Sequence, residues 1–306
     1  MSAAMQGPRR AGVVDLGTQS AVLAAGEFAE TGAVEVLLEA ARLPALGRSL
    51  AATGQLEPDD VARAAAALEE LAALSLGAGC PLREVIGTAV FRRATNGAVA
   101  ARALAEAAGA PVRIVTGEEE ARLAHAGASA GCPQALVVDV GGGSTELVTD
   151  GGRWACSAEV GASWLAERAR LDGWSLEERR AEASRRIEQA LAAAGTPPAF
   201  GEVLLVGGTA VNAGSLAQDP GAVFSIEAAA GAVTDPEALR AWASRLDLLP
   251  LDERRLFALE AERVGTLPEG LLCLAAALEA VGATSARISV RGLRHAALAR
   301  VLAAGA

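Results

Sequence analysis

The stretch LVVDVGGGSTELV, from Leu136 to Val148, joins an apolar run to three consecutive glycines. The run predicts a buried strand, and the glycines follow where that strand ends. Glycines at this position let the backbone turn tightly, reach positive φ and bring bare N–H groups against a ligand. Asp139 before them and Ser144 to Glu146 after them add carboxylates and hydroxyls, a set that suits phosphate with a divalent cation. The alternative is a hairpin turn that is merely rich in glycine.

A second copy of the pattern lies near the N-terminus, in the stretch VVDLGTQS from Val13 to Ser20. It repeats the apolar pair, aspartate, apolar residue, glycine and terminal serine of VVDVGGGS, Val137 to Ser144. In each copy another apolar run follows and then a turn, Glu30-Thr31-Gly32 or Asp150-Gly151-Gly152. The chain is therefore predicted to be internally duplicated, and each half begins with a β-hairpin whose bend is a candidate phosphate loop.

A third glycine turn, Gly207-Gly208-Thr209, follows a strand predicted over Glu202 to Val206 and opens a helix. Phosphate or the edge of a nucleotide commonly binds at such a helix N-terminus, because the first backbone N–H groups have no partner within the helix. A plain β–α turn is the alternative.

The remaining pattern predicts two α/β halves. In the first half we expect a loop over 43–56, helices over 57–76, 88–108 and 116–128, and strands over 82–88 and 112–115. In the second half we expect a helical stretch over 162–194 broken at 172–175, helices over 236–246 and 270–281, a strand over 287–290 and a helix from 293. With a linker near 128–133, the predicted domains are 1–128, joined by the C-terminal helix 292–306, and 129–291.

The composition limits the class of protein. At 306 residues the chain is long enough for two domains, and 52% hydrophobic residues with only 3% aromatics predict helices packed through small side chains. The formal net charge of −10 argues against binding to nucleic acid or anionic membranes, so a polyanionic substrate must be held locally. No apolar run approaches the ~20 residues of a membrane helix, and the short polar N-terminus leaves no room for a signal peptide. We therefore expect a cytoplasmic protein.

The four cysteines, Cys80, Cys132, Cys156 and Cys273, are far apart and form no C-x-x-C pair. This spacing argues against a zinc site or a thiol redox motif, and the chain has only two histidines. We expect the cysteines to be small buried or half-buried apolar residues in a reducing compartment. No Cys-His or Ser-His-Asp nucleophile system is visible in the sequence.

Two motifs carry a family resemblance, DVGGGSTEL at Asp139–Leu147 and TGEEEARL at Thr116–Leu123. Nearly the whole chain resembles the exopolyphosphatase and guanosine pentaphosphate phosphatase (Ppx/GppA) family, and it is similar, more distantly, to the actin, Hsp70 and sugar-kinase superfamily. The resemblance implies an α/β fold of two ribonuclease-H-like (actin-like ATPase) domains that face a central cleft. It also implies hydrolysis of terminal phosphoanhydride bonds, with Mg²⁺ as cofactor and inorganic polyphosphate or guanosine pentaphosphate (pppGpp) as substrate.

The family's site residues transfer onto this chain by position. The first phosphate loop corresponds to Asp15, Gly17, Thr18, Gln19 and Ser20, the second to Gly141, Gly142, Gly143, Ser144 and Thr145, and the nucleotide-side loop to Gly207, Gly208 and Thr209. Arg92 corresponds to an arginine that grips phosphate, and Glu120 to the proposed catalytic glutamate that orients and deprotonates water. Asp139 and Glu146 would hold the Mg²⁺. Without the resemblance, the sequence would indicate only that Arg92 is a solvated arginine at the start of a helix. Glu118 to Glu120 would then be acidic residues at a helix N-terminus, stabilised by the helix dipole.

Several positions depart from the family. Thr18-Gln19-Ser20 stands where Ser-Asn-Ser is usual, Gly265 replaces an acid expected after Arg263, and His295 stands where a glutamate is common. Besides an exopolyphosphatase, three alternatives stay open: a pppGpp or nucleotide phosphohydrolase, a non-catalytic sensor of phosphate-rich ligands, which these departures favour, and an ATP-dependent sugar or acid kinase. The sequence shows no evident sugar-binding insertion, which argues against the kinase. The oligomeric state stays open, and a homodimer is one of the assemblies that the sequence allows.

Overall fold

Each half of the chain is built on one mixed β-sheet in the structure, a computed structural model. The structure describes residues 9–29, 33–129, 132 and 134–304. Residues up to Leu123 and those from Leu293 onward form unit 1, and Ala124 to Gly292 form unit 2. This division falls inside the helix predicted over 116–128, and the predicted boundary lies at the end of that helix. Residues 130, 131 and 133 of the predicted linker lie outside the described residues.

The sheet of unit 1 has the strands β1 (Arg10–Leu16), β2 (Ala21–Phe28), β3 (Val34–Arg42), β4 (Leu82–Gly87) and β5 (Val112–Ile114). Their order is β3-β2-β1-β4-β5, with β1 antiparallel to β2 and parallel to β4. β1 and β2 form the first predicted hairpin, whereas the predicted turn at 30–32 lies outside the described residues. The sequence prediction missed β3, an edge strand in which glutamates interrupt the apolar run.

The helices in the first part of the chain are α1 (Leu50–Thr53), α2 (Pro58–Gly77), α3 (Ala89–Arg93), α4 (Gly97–Ala108) and α5 (Gly117–Ala128). Pro58 suits the first turn of α2, because an N–H group at that position would have no partner within the helix and proline has none. The predicted loop contains the short α1. The single helix predicted over 88–108 is wrong, since α3 ends at Arg93 and the next residue, Ala94, has an extended ψ of 133°. The side-chain amide of Asn96 instead bonds both the N–H and the carbonyl oxygen of Leu56 at 2.9 Å, so tertiary contacts divide the helix.

The sheet of unit 2 has the strands β6 (Leu136–Val140), β7 (Thr145–Thr149), β8 (Trp154–Ala158), β9 (Val203–Val206), β10 (Val233–Thr234) and β11 (Ala286–Ile288). Their order is β10-β11-β9-β6-β7-β8. Without β10, this is the strand order of unit 1 with the same parallel and antiparallel pairings, which confirms the predicted duplication. The turn predicted at Asp150 to Gly152 is confirmed as a short 3₁₀ turn between β7 and β8. The sequence prediction missed β8 and β10.

The helices of unit 2 are α6 (Ala162–Asp172), α7 (Leu176–Ala194), α8 (Gly207–Gln218), α9 (Ile226–Ala229), α10 (Pro236–Asp247), α11 (Leu251–Arg254) and α12 (Leu267–Ala280). The predicted break in the long helical stretch is confirmed. Gly173 ends α6 with a left-handed φ of 70°, and Ser175 begins α7 through a capping box with Glu178. α12 begins before the predicted Gly270, because Pro268 is compatible with its first turn.

The C-terminal helix, α13 (Leu293–Ala304), packs against β1 and β2 of unit 1. In unit 2, α12 is buried along almost its whole length and packs against α6, α7 and α10. Three cysteines are buried and Cys132 is half-buried, as predicted. Within the described ranges, no helix is both long enough and apolar enough to cross a membrane.

Candidate functional site

The bend of the first hairpin is a four-residue loop, Gly17 to Ser20, between β1 and β2. The Gly17 N–H donates to the Ser20 carbonyl oxygen at 2.9 Å and closes the loop. The carbonyl oxygens of Thr18 and Gln19 accept from N–H groups of the segment 45–47, at 2.9 and 3.0 Å. Carbonyl oxygens that would repel an anion are therefore engaged by the protein.

The bend of the second hairpin, Gly141 to Ser144, is closed in the same way. The Gly141 N–H donates to the Ser144 carbonyl oxygen, again at 2.9 Å. The carbonyl oxygens of Gly141 and Gly142 accept from the N–H groups of Ala162 and Trp164 in the first turn of α6, at 2.9 and 2.8 Å. The two predicted phosphate loops thus share one backbone closure.

The loop glycines do not adopt the predicted positive φ, so that expectation was wrong. Within the described residues, several glycines have a positive φ, but none of Gly17, Gly141, Gly142 and Gly143 does. Close packing explains the need for glycine nearby instead. A Cβ on Gly161, at the start of α6, would lie 2.5 Å from the Gly141 carbonyl oxygen and 2.6 Å from the Ser144 nitrogen.

The side chain of Thr145 lies inside the domain. It is fully buried, and its hydroxyl donates to the Val160 carbonyl oxygen at 2.6 Å. This placement favours a structural role for Thr145, because its one hydroxyl proton already has an acceptor inside the domain.

The third glycine loop meets the second at Asp139. Gly207, at the start of α8, has a φ of 83°, and a Cβ on it would lie 2.5 Å from Asp139 Oδ1. Only glycine satisfies both conditions. The pairing of β6 with β9 sets this approach by placing Asp139 opposite Val206. Thr209 is buried, and its hydroxyl lies 3.3 Å from the Val140 carbonyl oxygen, to which it donates.

Two carboxylates face each other across the second hairpin. Asp139 on β6 pairs directly with Glu146 on β7, so their Cβ atoms are about 4.5–5.5 Å apart on one face of the sheet. Like charges in this arrangement are destabilising unless a cation offsets them. The Ser157 hydroxyl donates to Glu146 Oε1 at 3.1 Å. In the first hairpin, Asp15 is instead opposite Val22.

This pair is a limited ligand set. No group of three or more His, Cys, Asp or Glu side chains that could hold a metal ion occurs in the part of the chain that the structure describes. Mg²⁺ typically takes one or two carboxylates and completes its shell with water and substrate phosphates. Asp139 and Glu146 therefore fit a cation that is held jointly with a phosphate ligand.

Glu120, in the first turn of α5, forms an ion pair with Arg92 of α3. Arg92 Nη1 donates to Glu120 Oε2 at 2.7 Å and to the Val115 carbonyl oxygen at 2.8 Å. Burial raises the pKa of the Glu120 carboxyl above its usual value of 4.5, although the Arg92 guanidinium acts in the opposite direction. A largely buried carboxylate with a raised pKa is a candidate general base.

Three consecutive glutamates in α5 have three different partners. The side chain of Glu118 is 82% exposed and pairs with Arg122 at 3.2 Å. Glu119 accepts from Arg113 Nη1. The side chain of Glu120 is only 21% exposed. Glu118 therefore fits the role of an acidic residue stabilised by the helix dipole. Glu120 instead has the burial and the cationic partner expected of a functional group.

Within unit 1, the first loop lies beside the helix that carries Arg92. Thr88, which precedes α3, donates from its N–H to the Leu16 carbonyl oxygen at 3.3 Å. A Cβ on Gly17 would lie 3.6 Å from the Thr88 hydroxyl oxygen. The structure thus brings together the first loop, Arg92 and Glu120 in unit 1, and the second loop, the third loop and the two carboxylates in unit 2.

Sequence reasoning missed a polar cluster at the third loop. The Arg263 guanidinium lies against Gly208, with Nε 2.3 Å from the position that a Cβ would take. Arg263 Nε donates to Glu260 Oε2, which also accepts from the side-chain amide of Asn212 at 3.2 Å. The same amide donates to the Gly208 carbonyl oxygen at 2.8 Å. The second glycine of the loop was the available signal, because it makes room for the arginine.

The structure explains one departure from the family, His295, and does not explain another, Gly265. His295 is buried with Nε2 3.3 Å from Glu39 Oε1, and Arg294 lies 2.7 Å from the same oxygen. Although burial alone would raise the pKa of Glu39, His295 and Arg294 lower it to about 2. His295 therefore helps to attach α13 to β3. Gly265 lies in open space, where an added Cβ would meet nothing within 4 Å.

Comparisons with known proteins agree with this architecture. The sequence matches the Ppx/GppA phosphatase family over residues 28–304. The structure is similar to that of an exopolyphosphatase-like protein, with a TM-score of 0.83 and 22% identity over 96% of this chain and 98% of the other. It is also similar to a Ppx/GppA family member from Aquifex aeolicus, with a TM-score of 0.72 and 23% identity over 97% and 99% of the two chains. A third similar structure is an exopolyphosphatase from Cytophaga hutchinsonii, with a TM-score of 0.78 and 16% identity over 97% and 98%.

These structural likenesses establish the fold, which is the predicted actin-like α/β fold with two domains. A search of curated proteins found no match. The family match covers Arg92, Glu120 and the second and third loops, while the first loop precedes it. Because that match extends over most of the sequence, the chain belongs to the Ppx/GppA phosphatase family.

Proposed function

We propose that the protein hydrolyses terminal phosphoanhydride bonds and that it acts as an exopolyphosphatase, releasing phosphate from inorganic polyphosphate. The observation that carries the proposal is the Arg92–Glu120 pair, a cation and a largely buried base held 2.7 Å apart. The two loops of identical closure support it, because each engages three of its four carbonyl oxygens in hydrogen bonds within the protein. On the sequence argument alone, we also propose that the protein acts in the cytoplasm.

Glu120 is proposed as the general base. It accepts a proton from a water molecule whose oxygen attacks the terminal phosphorus. The bond from that phosphorus to the bridging oxygen breaks, and the bridging oxygen keeps the electron pair. The raised pKa of Glu120 suits this role, because a base works best when its pKa approaches the operating pH.

Arg92 is proposed to serve both the base and the substrate. Its Nη1 holds Glu120 and the Val115 carbonyl oxygen, so contact with phosphate falls to the other donors of the guanidinium fork. The loop N–H groups and the hydroxyls of Thr18, Ser20 and Ser144 would bind further phosphate oxygens. The donors of unit 1 are proposed to stabilise the negative charge on the transferring phosphoryl group.

Asp139 and Glu146 are proposed to hold Mg²⁺. Phosphatases of this family generally use a divalent metal ion. When bound, the cation would neutralise charge on phosphate oxygens. The opposed carboxylates supply the protein's share of the ligands, and the Ser157 hydroxyl keeps Glu146 oriented.

The proposal is tested with Glu120→Gln, which keeps the size of the side chain and removes its basic oxygen. With Mg²⁺ present, phosphate release is measured from long polyphosphate, short polyphosphate and pppGpp in parallel. We expect the wild type to act on polyphosphate and the variant to lose ~10²–10⁴-fold in kcat with KM nearly unchanged. The acidic limb of the wild-type pH profile should lie above pH 4.5, because activity falls as the pH drops through the raised pKa of Glu120.

Glu118→Gln is the matched control, since Glu118 is exposed on the same helix turn and should be silent. Release from pppGpp alone would identify the nucleotide phosphohydrolase. Calorimetric binding without any release would identify the sensor, and phosphate transfer from ATP to a co-substrate would identify the kinase. Equal activity of wild type and Glu120→Gln would refute the role of Glu120.

A further inference from the structure

A chain of charged side chains runs through unit 1 toward the first turn of α5. Arg113, on β5, donates from Nε to Glu84 Oε1 and from Nη1 to Glu119 Oε1. Arg300 of α13 donates to the other carboxylate oxygen of Glu84. Glu84 is only 7% exposed, so its charge depends on these two arginines. Arg113 therefore links a buried carboxylate to the residue that precedes Glu120.

The first turn of α5 is held on two sides. Successive residues of an α-helix point about 100° apart, so Glu119 and Glu120 face different neighbours. Arg113 holds Glu119, and Arg92 holds Glu120. The backbone N–H groups of both glutamates bond Thr116, at 3.1 Å to its hydroxyl and 2.9 Å to its carbonyl oxygen. The two ion pairs therefore oppose rotation of this turn in addition to the backbone bonds to Thr116.

We propose that Arg113 is a positioning residue, which acts through Glu119 to keep the Glu120 carboxylate directed at Arg92 and away from solvent. The inference rests on the proposed role of Glu120 as a base. It assigns different functions to the two arginines on Glu84: Arg113 orients the turn of the base, and Arg300 attaches α13.

Arg113→Met tests this, because it removes both ion pairs and retains an unbranched side chain. We expect kcat to fall about 10- to 100-fold, as for a small displacement of a reacting group, while KM stays within about threefold. The acidic limb of the pH profile should move to lower pH. Burial is what raises the pKa of Glu120, so a loosened turn that admits water lowers it. Arg92 is the charged group in direct contact with Glu120, and it is unchanged in this variant.

Two controls separate positioning from stability. Arg300→Met removes the other partner of Glu84 without touching Glu119, so it should lower stability but leave kcat and the pH profile unchanged. Arg122→Met removes an exposed pair from the same helix and should change nothing measurable. Should Arg113→Met fail to fold, Glu119→Gln breaks the same link while Glu84 keeps both arginines.

The titration of Glu120 itself is followed by carbon-13 NMR of protein labelled at glutamate carboxyl groups, with the signal assigned by its loss in Glu120→Gln. A lowered Glu120 pKa in Arg113→Met or Glu119→Gln, and an unchanged one in Arg300→Met, is the expected result. This readout needs no substrate, so it decides the positioning role even where the wild type hydrolyses none of the three phosphate compounds. An unchanged Glu120 titration in both Arg113→Met and Glu119→Gln would overturn the inference.

Discussion

The two hairpin loops share a backbone closure but differ in what supports them. In unit 1 the support is the irregular segment 45–47, in which Ala45 has a φ of 50°, unusual for a residue with a side chain. In unit 2 it is the regular first turn of α6. The duplication has therefore kept the part that would contact phosphate and replaced the scaffold behind it. The supported carbonyl groups also differ in position, since they belong to the second and third residues of the first loop and to the first and second residues of the second loop. Loops with the same closure can therefore be held by different structures, provided that two of their carbonyl groups find N–H donors.

The two supports also differ in how easily they could accommodate an added methyl group. A Cβ on Gly161, behind the second loop, would meet backbone atoms of Gly141, Gly142 and Ser144 at 2.5–2.8 Å. A Cβ on Gly47, behind the first loop, would meet the Thr18 methyl carbon at 2.4 Å. Backbone can move only if the loop moves, whereas a methyl group can be removed by substitution.

The largest effect is expected for Gly161→Ala. The added methyl forces the second loop away from α6, which also weakens the bonds from Ala162 and Trp164. We expect a loss of about 3 kcal/mol in the free energy of unfolding, the upper end for overpacking, together with loss of phosphate release. Urea unfolding of wild type and variant measures the first quantity.

Gly201→Ala is the control for that experiment. An added Cβ at Gly201 meets nothing within 4 Å, so its stability should stay within about 0.5 kcal/mol of the wild type. If Gly161→Ala proves equally mild, then the second loop is not clamped as the contacts indicate.

A smaller effect is expected for Glu146→Val, which gives the second hairpin the Asp–Val pairing of the first. Asp15 already lies opposite Val22, so the variant tests whether the carboxylate pair makes the two hairpins functionally different. We expect it to need at least about tenfold more Mg²⁺ for half-maximal activity, equivalent to about 1.4 kcal/mol of binding free energy. A Mg²⁺ titration of phosphate release measures this shift.

Ser157→Ala is the comparison, since it removes the hydroxyl that orients Glu146 but leaves both carboxylates. Its Mg²⁺ requirement should rise less than that of Glu146→Val. Unchanged Mg²⁺ dependence in Glu146→Val would contradict the proposed metal site.

The comparison also explains which features could be predicted from sequence. The strands and glycines of each hairpin are contiguous, so their pattern predicts both the hairpin and its repetition. The supports could not be predicted, because the N–H groups of Ala45 and Ala162 carry no side-chain signal. Distant contacts were equally hidden. The bonds of Asn96 to Leu56 divide a helix that local propensity predicts as continuous.

The candidate site shows the same limit. Glu120 and Arg92 were singled out by a resemblance, and the structure places them 2.7 Å apart, but their catalytic roles remain predictions. Arg263 was noted only as the neighbour of Gly265, because its contact with Gly208 spans a large separation in sequence. A glycine that is needed for space shows that something approaches it without showing what does.

The smallest effect, and the sharpest test of the comparison, is expected at Gly47. Gly47→Ala should cost about 1 kcal/mol, because the Thr18 methyl can give way, and Thr18→Ser removes the methyl while keeping the hydroxyl. In the double variant the 2.4 Å contact with the Thr18 methyl carbon is gone, and looser contacts with Val90 Cγ2 and Thr18 Cβ remain at 3.3 and 3.4 Å. A double-mutant cycle should therefore show a favourable coupling of up to about 1 kcal/mol in urea unfolding. No side-chain truncation in the second loop should rescue Gly161→Ala, because its clashes are with backbone. An uncoupled cycle at Gly47 would mean that the first loop is held as rigidly as the second, and the proposed difference between their supports would fail.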